Sequence, residues 1–465
     1  MFEVLKQYGS MRTLGGRVKD YTSVMFVCMK DINDTWVVDP ENPRTLELIA
    51  ESPNPEESMR DFFESFVQPY LEALSLEIIG RISQCTNTLK ATTLVVFLPF
   101  LSKDVCENDE TRQRMEALAF KAINRYYHSH GVRIFLFGGA TSTGNTCANL
   151  FAKLRTTSMS DVVVMHGGYG TAVSNMLAVE EACRRTGLQL ADATVACVGY
   201  GAGGRPTMRL LAPKCKQSIV VARDQAKMQK GINELNKLLP MANVNDPHRV
   251  IGKLTADLDE AVGKADVLVL ATNSSEPLVF SNFKKTGLII LNPEVPSTLA
   301  PEIARHPLVL AFKAGELRIP GKYSQVTNMA GGGRHAGRFP RPRLRPDEYD
   351  VLYKLLDVPT RQDAKACTSE QLVLCLEMAH LLRRSMSVSQ FCLERGLKRE
   401  SLVQPSHDME WLKYIDRAWK QYGFQLSNFR SDDGEILEKD FARMRALRQA
   451  AASATQSAGQ LYPAF

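Results

Sequence analysis

The stretch ATVACVGYGAGGRPTMRLLAPKCKQSIVVARD, residues 193–224, decides the fold. Thr194 to Val198 is a short apolar run that reads as a buried parallel strand. It breaks at once into Gly199-Tyr200-Gly201-Ala202-Gly203-Gly204. Glycines 199, 201 and 204 have the G-x-G-x-x-G spacing. The first allows a tight turn, the second lets backbone approach a pyrophosphate, and the third lets a helix pack on the strand. A helix follows whose free N–H groups face the phosphates, and Ser218 to Ala222 is the second strand of a β-α-β unit. All six loop residues, Gly199, Tyr200, Gly201, Ala202, Gly203 and Gly204, are therefore candidate dinucleotide-binding residues. The rival reading is a glycine-rich turn in another parallel sheet.

The end of the second strand bears on which dinucleotide fits. An acid there holds a ribose 2′-OH, whereas an Arg suits a 2′-phosphate. Here the strand ends Ala222-Arg223-Asp224, so NADPH is favoured through Arg223, and Asp224 leaves NAD as the alternative.

Units of the same kind flank this one. Downstream, Asp266 to Ala271 is a buried strand whose end, Thr272, faces the nicotinamide side of such a crevice. Gly287 to Asn292 and Leu308 to Phe312 are further strands. Upstream, Thr22 to Met29, Thr35 to Asp39, Thr93 to Leu98, Val132 to Phe137 and Asp161 to Met165 read as strands. Glu56 to Ile82 and Glu110 to His130 read as helices. Gly139, Thr141 and Ser142 follow the strand ending at Phe137. They are candidate substrate-binding residues or an ordinary capped turn.

The whole is an α/β chain, with a Rossmann-type dinucleotide-binding domain joined to an N-terminal α/β domain and C-terminal helices. The expected division is 1–186 for the substrate domain and 187–320 for the dinucleotide domain. An Arg/Gly/Pro-rich insert then covers 321–365, a helical segment 366–430 and a flexible tail 431–465.

Totals exclude several classes. Lys and Arg number 57 against 51 Asp and Glu, a net charge of +6 too mild to argue for nucleic acid. No apolar run reaches the ~18–20 residues that span a bilayer, and the N-terminus has no apolar signal core, so the expected location is cytoplasmic. The ten cysteines lack C-x-x-C pairs, so no metal site is expected. Cys183, Cys197 and Cys375 lie in apolar surroundings and read as core thiols. The arginines at 334, 338, 341, 343 and 345 form a solvated loop or a landing site for an acidic partner.

Five segments, in order, resemble the long-chain acyl-acyl-carrier-protein reductases, the aldehyde-forming enzymes of the fatty-alkane pathway. They are residues 121–142, 167–204, 218–224, 370–382 and 409–426. The resemblance implies NADPH-dependent reduction of a fatty acyl thioester to an aldehyde. The acyl carrier protein or CoA would deliver the substrate. EQLVLCLEMAHLL (370–382) is similar to the family's helix with an acylated cysteine, which would make Cys375 catalytic. The glycine loop is one residue shorter than the family's, and Pro293-Glu294-Val295-Pro296-Ser297 lacks its Lys. Two other readings remain. One is a shikimate dehydrogenase or glutamyl-tRNA reductase-like oxidoreductase acting on a small polar substrate. The other is a non-catalytic NADP-binding protein.

Overall fold

In a computed structural model, the described residues are 11–14, 18–29, 78–85, 89–142, 144–239, 250–254, 257–272, 277–284, 286–293, 298–327, 362–381, 388–403, 408–431 and 433–460. They fall into two compact units. One joins Met1–Gly167 to Arg318–Gln404 and Arg417–Gln425. The other joins Gly168–Leu317 to Pro405–Asp416 and Leu426–Phe465.

The first unit begins with β1 (Met11–Leu14), β2 (Val18–Met29), β3 (Ile78–Cys85) and β4 (Leu89–Leu101). Then come α1 (Ser102–Glu107), α2 (Asp109–His130), β5 (Ile134–Phe137), α3 (Thr146–Arg155) and β6 (Val163–Met165). Strands β4, β2, β5 and β6 are parallel neighbours. The apolar run of β4 is buried along nearly its whole length, as a strand covered on both faces must be. Met115, Ala119, Ala122, Ile123 and Tyr126 make the buried stripe of α2 at helical spacing. Asn108 caps its start by accepting from the Glu110 and Thr111 N–H groups. Phe26 packs between Phe135 and Phe137 at ring distances of 6.0 and 4.8 Å.

The second unit continues with α4 (Gly168–Thr186), β7 (Thr194–Val198), α5 (Gly204–Leu211), β8 (Gln217–Ala222), α6 (Gln225–Asn236) and β9 (Ile251–Leu254). Next come α7 (Leu258–Lys264), β10 (Val267–Leu270), β11 (Leu288–Asn292), α8 (Pro301–Ala304) and β12 (Val309–Lys313). The parallel order is β9-β8-β7-β10-β11-β12. Counted from β7, that is 3-2-1-4-5-6, the Rossmann order, with its switch point between β7 and β10.

The remaining elements are β13 (Glu316–Arg318), β14 (Lys322–Thr327), β15 (Asp363–Lys365), α9 (Ala366–Leu381), α10 (Val388–Glu394) and α11 (Met409–Tyr422). The chain ends with β16 (Gln425–Leu426), β17 (Arg430–Ser431), β18 (Gly434–Glu435) and α12 (Glu438–Gln460). β14 pairs antiparallel with β3 and so extends the first unit's sheet. α9 packs on β2, β4 and β5 of that sheet.

Four expectations change here. Ile78–Ile82, read as the end of a helix, lies in β3, where its β-branched residues pair with β4. The ends of the insert are strands β14 and β15. The segment 366–430 divides: α9, buried almost all round, belongs to the first unit, and Pro405–Asp416 and the residues from Leu426 belong to the second. The tail is a docked helix from Glu438, with Phe441 and Met444 fully buried. The expected strand at 35–39, the first part of the expected helix at 56–77 and the arginines at 334–345 lie outside the described residues.

Candidate functional site

The glycine loop sits at the switch point, and its three glycines differ in what surrounds them. Gly199 has φ 91°, a left-handed conformation that an L side chain adopts only under strain. A Cβ there would collide with the Ala271 carbonyl and lie 2.9 Å from the Thr272 nitrogen. At Gly204 a Cβ would run into the Gly199 carbonyl oxygen and come within 3.1 Å of Cys197 Sγ. A Cβ at Gly201 would meet nothing within 4 Å, and this exposed residue opens onto free space. The first and third glycines thus serve the fold, and the second leaves room for a ligand.

Backbone hydrogen bonds fix the loop to the sheet. The Gly199 N–H donates to Val221 O at 2.8 Å, and the Ala271 N–H donates to Val198 O at 2.8 Å. Thr207 Oγ1 donates to Gly203 O at 2.8 Å, and Asn175 Nδ2 on α4 donates to Thr207 Oγ1 at 3.2 Å. Both side chains are fully buried. Among the described residues no side chain caps the start of α5; the Arg205 N–H donates to Gly201 O at 3.1 Å, and Pro206 has no N–H. Arg223 is exposed just past β8, and Thr272 stands partly buried beside Gly199. The second unit therefore brings together Gly199, Tyr200, Gly201, Ala202, Gly203, Gly204, Arg223 and Thr272. These residues could hold a dinucleotide, with the phosphates at the start of α5.

Gly139, Thr141 and Ser142 belong to the first unit, on a turn that follows β5. Thr141 Oγ1 donates to Gly138 O at 2.9 Å, and Ser142 Oγ donates to Gly139 O at 2.8 Å. Both hydroxyls thus close the turn locally, and Thr141 is fully buried.

Cys375 stands elsewhere. Helix α9 runs antiparallel to β2: Thr368 Oγ1 touches Met25 Sδ at 3.4 Å, and Gln371 Nε2 donates to Val24 O at 2.7 Å. Burial, and after it Cys375, raises the Tyr21 phenol above its usual range. Cys375 is fully buried toward the start of β2, away from the strand ends where ligands bind in open α/β sheets. Helix geometry puts it about 12 Å along the axis from Cys367. Cys367, which the sequence reading passed over, is the thiol at the strand ends. Its Sγ lies 3.6 Å from where a Gly138 Cβ would be, and a Cβ on Gly167 would strike its own Cβ. Burial raises the Cys367 thiol, opposed by its hydrogen bond with Thr368. Its signal in the sequence is its place just before the polar run Thr368-Ser369-Glu370. The helix begins at Ala366, so Cys367 lies in its first turn.

His166, after β6, is half-buried, and its Nδ1 is sealed from solvent. Burial lowers its pKa to about 4, so the ring is neutral at physiological pH. No helix among the described residues is long and apolar enough to cross a membrane.

No protein-family model and no curated protein matches the chain. Solved structures are similar to it only at a distance. The A chain of dipicolinate synthase from Bacillus subtilis is 15% identical with a TM-score of 0.26, covering 38% of this chain and 56% of its own length. This chain thus spans under two thirds of that protein. Malic enzyme from Entamoeba histolytica is 12% identical with a TM-score of 0.33, covering 94% of this chain and 76% of that one. L-tryptophan dehydrogenase from Nostoc punctiforme is 10% identical with a TM-score of 0.28, covering 90% and 99%. The resemblance to acyl-carrier-protein reductases has no counterpart among the three. Likenesses this distant fix neither substrate nor site residues, and the Rossmann assignment rests on the strand order.

Proposed function

We propose that the chain is an oxidoreductase using NADP(H). The observation that carries this reading is the contrast within the glycine loop. Gly199 and Gly204 are enclosed by protein, while Gly201 opens onto free space at the switch point. The bound nicotinamide supplies or accepts a hydride. The chain's own residues do the rest. The glycine loop leading into α5 receives the pyrophosphate, Arg223 takes the 2′-phosphate, and Thr272 borders the nicotinamide side.

On the substrate side, the full burial of Cys375 favours direct hydride exchange with a bound substrate. Reduction of an acyl-CoA or acyl-carrier-protein thioester would instead need a thiol that the substrate can reach. One experiment tests both levels. NADPH and NADH binding is measured by calorimetry, and intact mass is recorded after incubation with palmitoyl-CoA, on wild type and Cys375→Ser. We expect NADPH to bind more tightly than NADH, and no adduct to form on Cys375. An adduct present on wild type and missing from the variant would overturn direct exchange. Binding of neither nucleotide would overturn the oxidoreductase reading.

A further inference from the structure

A helix leaves the N–H groups of its cap and first three residues without partners inside the helix. At α5 these positions are Gly203, Gly204, Arg205 and Pro206. The Arg205 N–H donates to Gly201 O at 3.1 Å, and Pro206 has no N–H. Among the described residues, that leaves the N–H groups of Gly203 and Gly204 to meet a ligand. The peptide that joins these two glycines is planar and trans, so its C=O and its N–H point in opposite directions. Whatever holds the Gly203 oxygen therefore aims the Gly204 N–H. Neither flanking residue has a side chain to restrain that peptide, so the restraint must come from outside it.

The restraint is a chain of two side chains. Thr207 Oγ1 donates to Gly203 O at 2.8 Å, closer than the Thr207 N–H, which donates to the same oxygen at 3.4 Å. Asn175 Nδ2 on α4 donates in turn to Thr207 Oγ1 at 3.2 Å. An amide N–H on the hydroxyl oxygen leaves the hydroxyl hydrogen for the Gly203 carbonyl. Asn175 and Thr207 are both fully buried. Asn175 Oδ1 is sealed from solvent with no hydrogen-bond partner among the described residues. Such an oxygen is unfavourable to bury, and a leucine would fill a similar volume without it. Packing therefore does not account for the amide, whereas its bond to Thr207 does.

We infer that Asn175 and Thr207 are positioning residues for the dinucleotide: together they turn the Gly203–Gly204 peptide so that the Gly204 N–H faces the pyrophosphate. This rests on the reading that the loop holds NADP(H). The Gly203 oxygen is drawn along α5, and the Gly204 hydrogen is directed out past the helix start. Thr207 acts through the peptide, and Asn175 acts through Thr207.

The test is calorimetric binding of NADPH to the full chain, with phosphorus NMR of the bound nucleotide. The pyrophosphate and the 2′-phosphate give separate signals, so one ligand carries its own control. Thr207→Val keeps the shape, removes the hydroxyl and should weaken NADPH by about threefold to tenfold, the worth of one hydrogen bond. It should move the pyrophosphate signals and leave the 2′-phosphate signal in place. Thr207→Ser keeps the hydroxyl and should bind as wild type does. Asn175→Leu should shift the same signals, and adding it to Thr207→Val should weaken binding no further, because the two residues act in series. Circular dichroism checks that each variant folds. An unchanged affinity in Thr207→Val would overturn the inference. So would losses that add, or a loss in which all the phosphorus signals move together, since either would mark a general disturbance of the fold. If wild type does not bind NADPH, the dinucleotide reading itself falls, a result distinct from these.

Discussion

The carbonyl oxygen of Gly199 fills the space that a Cβ on Gly204 would need. Helix α5 can approach β7 only because that Cβ is missing. Gly204→Ala should therefore strain the loop and destabilise the fold by about 1–3 kcal/mol, as overpacking does. Gly201→Ala meets open space and should leave the denaturation midpoint unchanged while weakening NADPH. Urea titration with calorimetry on both variants checks this. A stable Gly204→Ala protein would contradict the packing argument.

Arg430 on β17 forks onto Glu316 on β13, with contacts of 2.9 and 2.5 Å. The pair is nearly sealed, at 17% and 4% side-chain exposure. Arg430→Met takes the guanidinium away from a buried carboxylate and should cost about 3–5 kcal/mol. Glu316→Leu with Arg430→Met should recover most of that loss. A single-variant cost below about 1 kcal/mol would mean that water screens the pair.

Thiol labelling separates the two cysteines of α9. Cys375 is fully buried, and Cys367 is half-buried with a thiol raised above its usual range by burial. A raised pKa keeps the thiolate scarce at neutral pH. Iodoacetamide should thus label Cys367 slowly at pH 7 and faster as the pH climbs past about 9. Peptide mapping of the native protein should find Cys375 unlabelled throughout. Labelling of Cys375 before Cys367 would refute this.

His166 links pH to stability. Its folded pKa is about 4, below the value near 6.5 in an unfolded chain. The unfolded state then binds the extra proton between those values. Stability should fall as pH drops through that window, by at most about 3 kcal/mol from this group. His166→Gln should flatten the profile between pH 4 and 6.5 relative to wild type. Parallel curves for the two proteins would rule the contribution out.

The dinucleotide unit was legible because its signals are local. A buried five-residue strand, three spaced glycines and an Arg just past the second strand sit within 193–224. The strand order that makes it a Rossmann sheet then follows from β-α alternation. The first unit was harder to read. Ile78–Cys85 carries Gly80 and no clear turn before it, so its pairing with β4 is set by contact rather than by pattern. Helix α9 is buried almost all round and has no single apolar face, and such a helix does not reveal which sheet it covers. For the same reason the sequence could not tell Cys375 from Cys367. Both lie in one helix, and only the antiparallel course along β2 shows which end meets the strand termini. The tail read as frayed because its Ala/Ser/Gln content is weakly apolar. It takes the burial of Phe441, beneath the Arg185 guanidinium at 3.6 Å, to show that it is docked.

The discontinuity of the first unit also has a consequence at the ribosome. Strands β2, β4 and β5 emerge early, but α9, which packs on them, is made only after the whole stretch Gly168–Leu317. At ~5–20 residues per second the delay is on the order of tens of seconds. During that time the apolar face that α9 will cover, Val24 and Met25 included, has no native partner from this helix. The first-made part of the chain is thus among the last to finish folding, and a nascent chain paused before residue 366 should be the species that chaperones bind best.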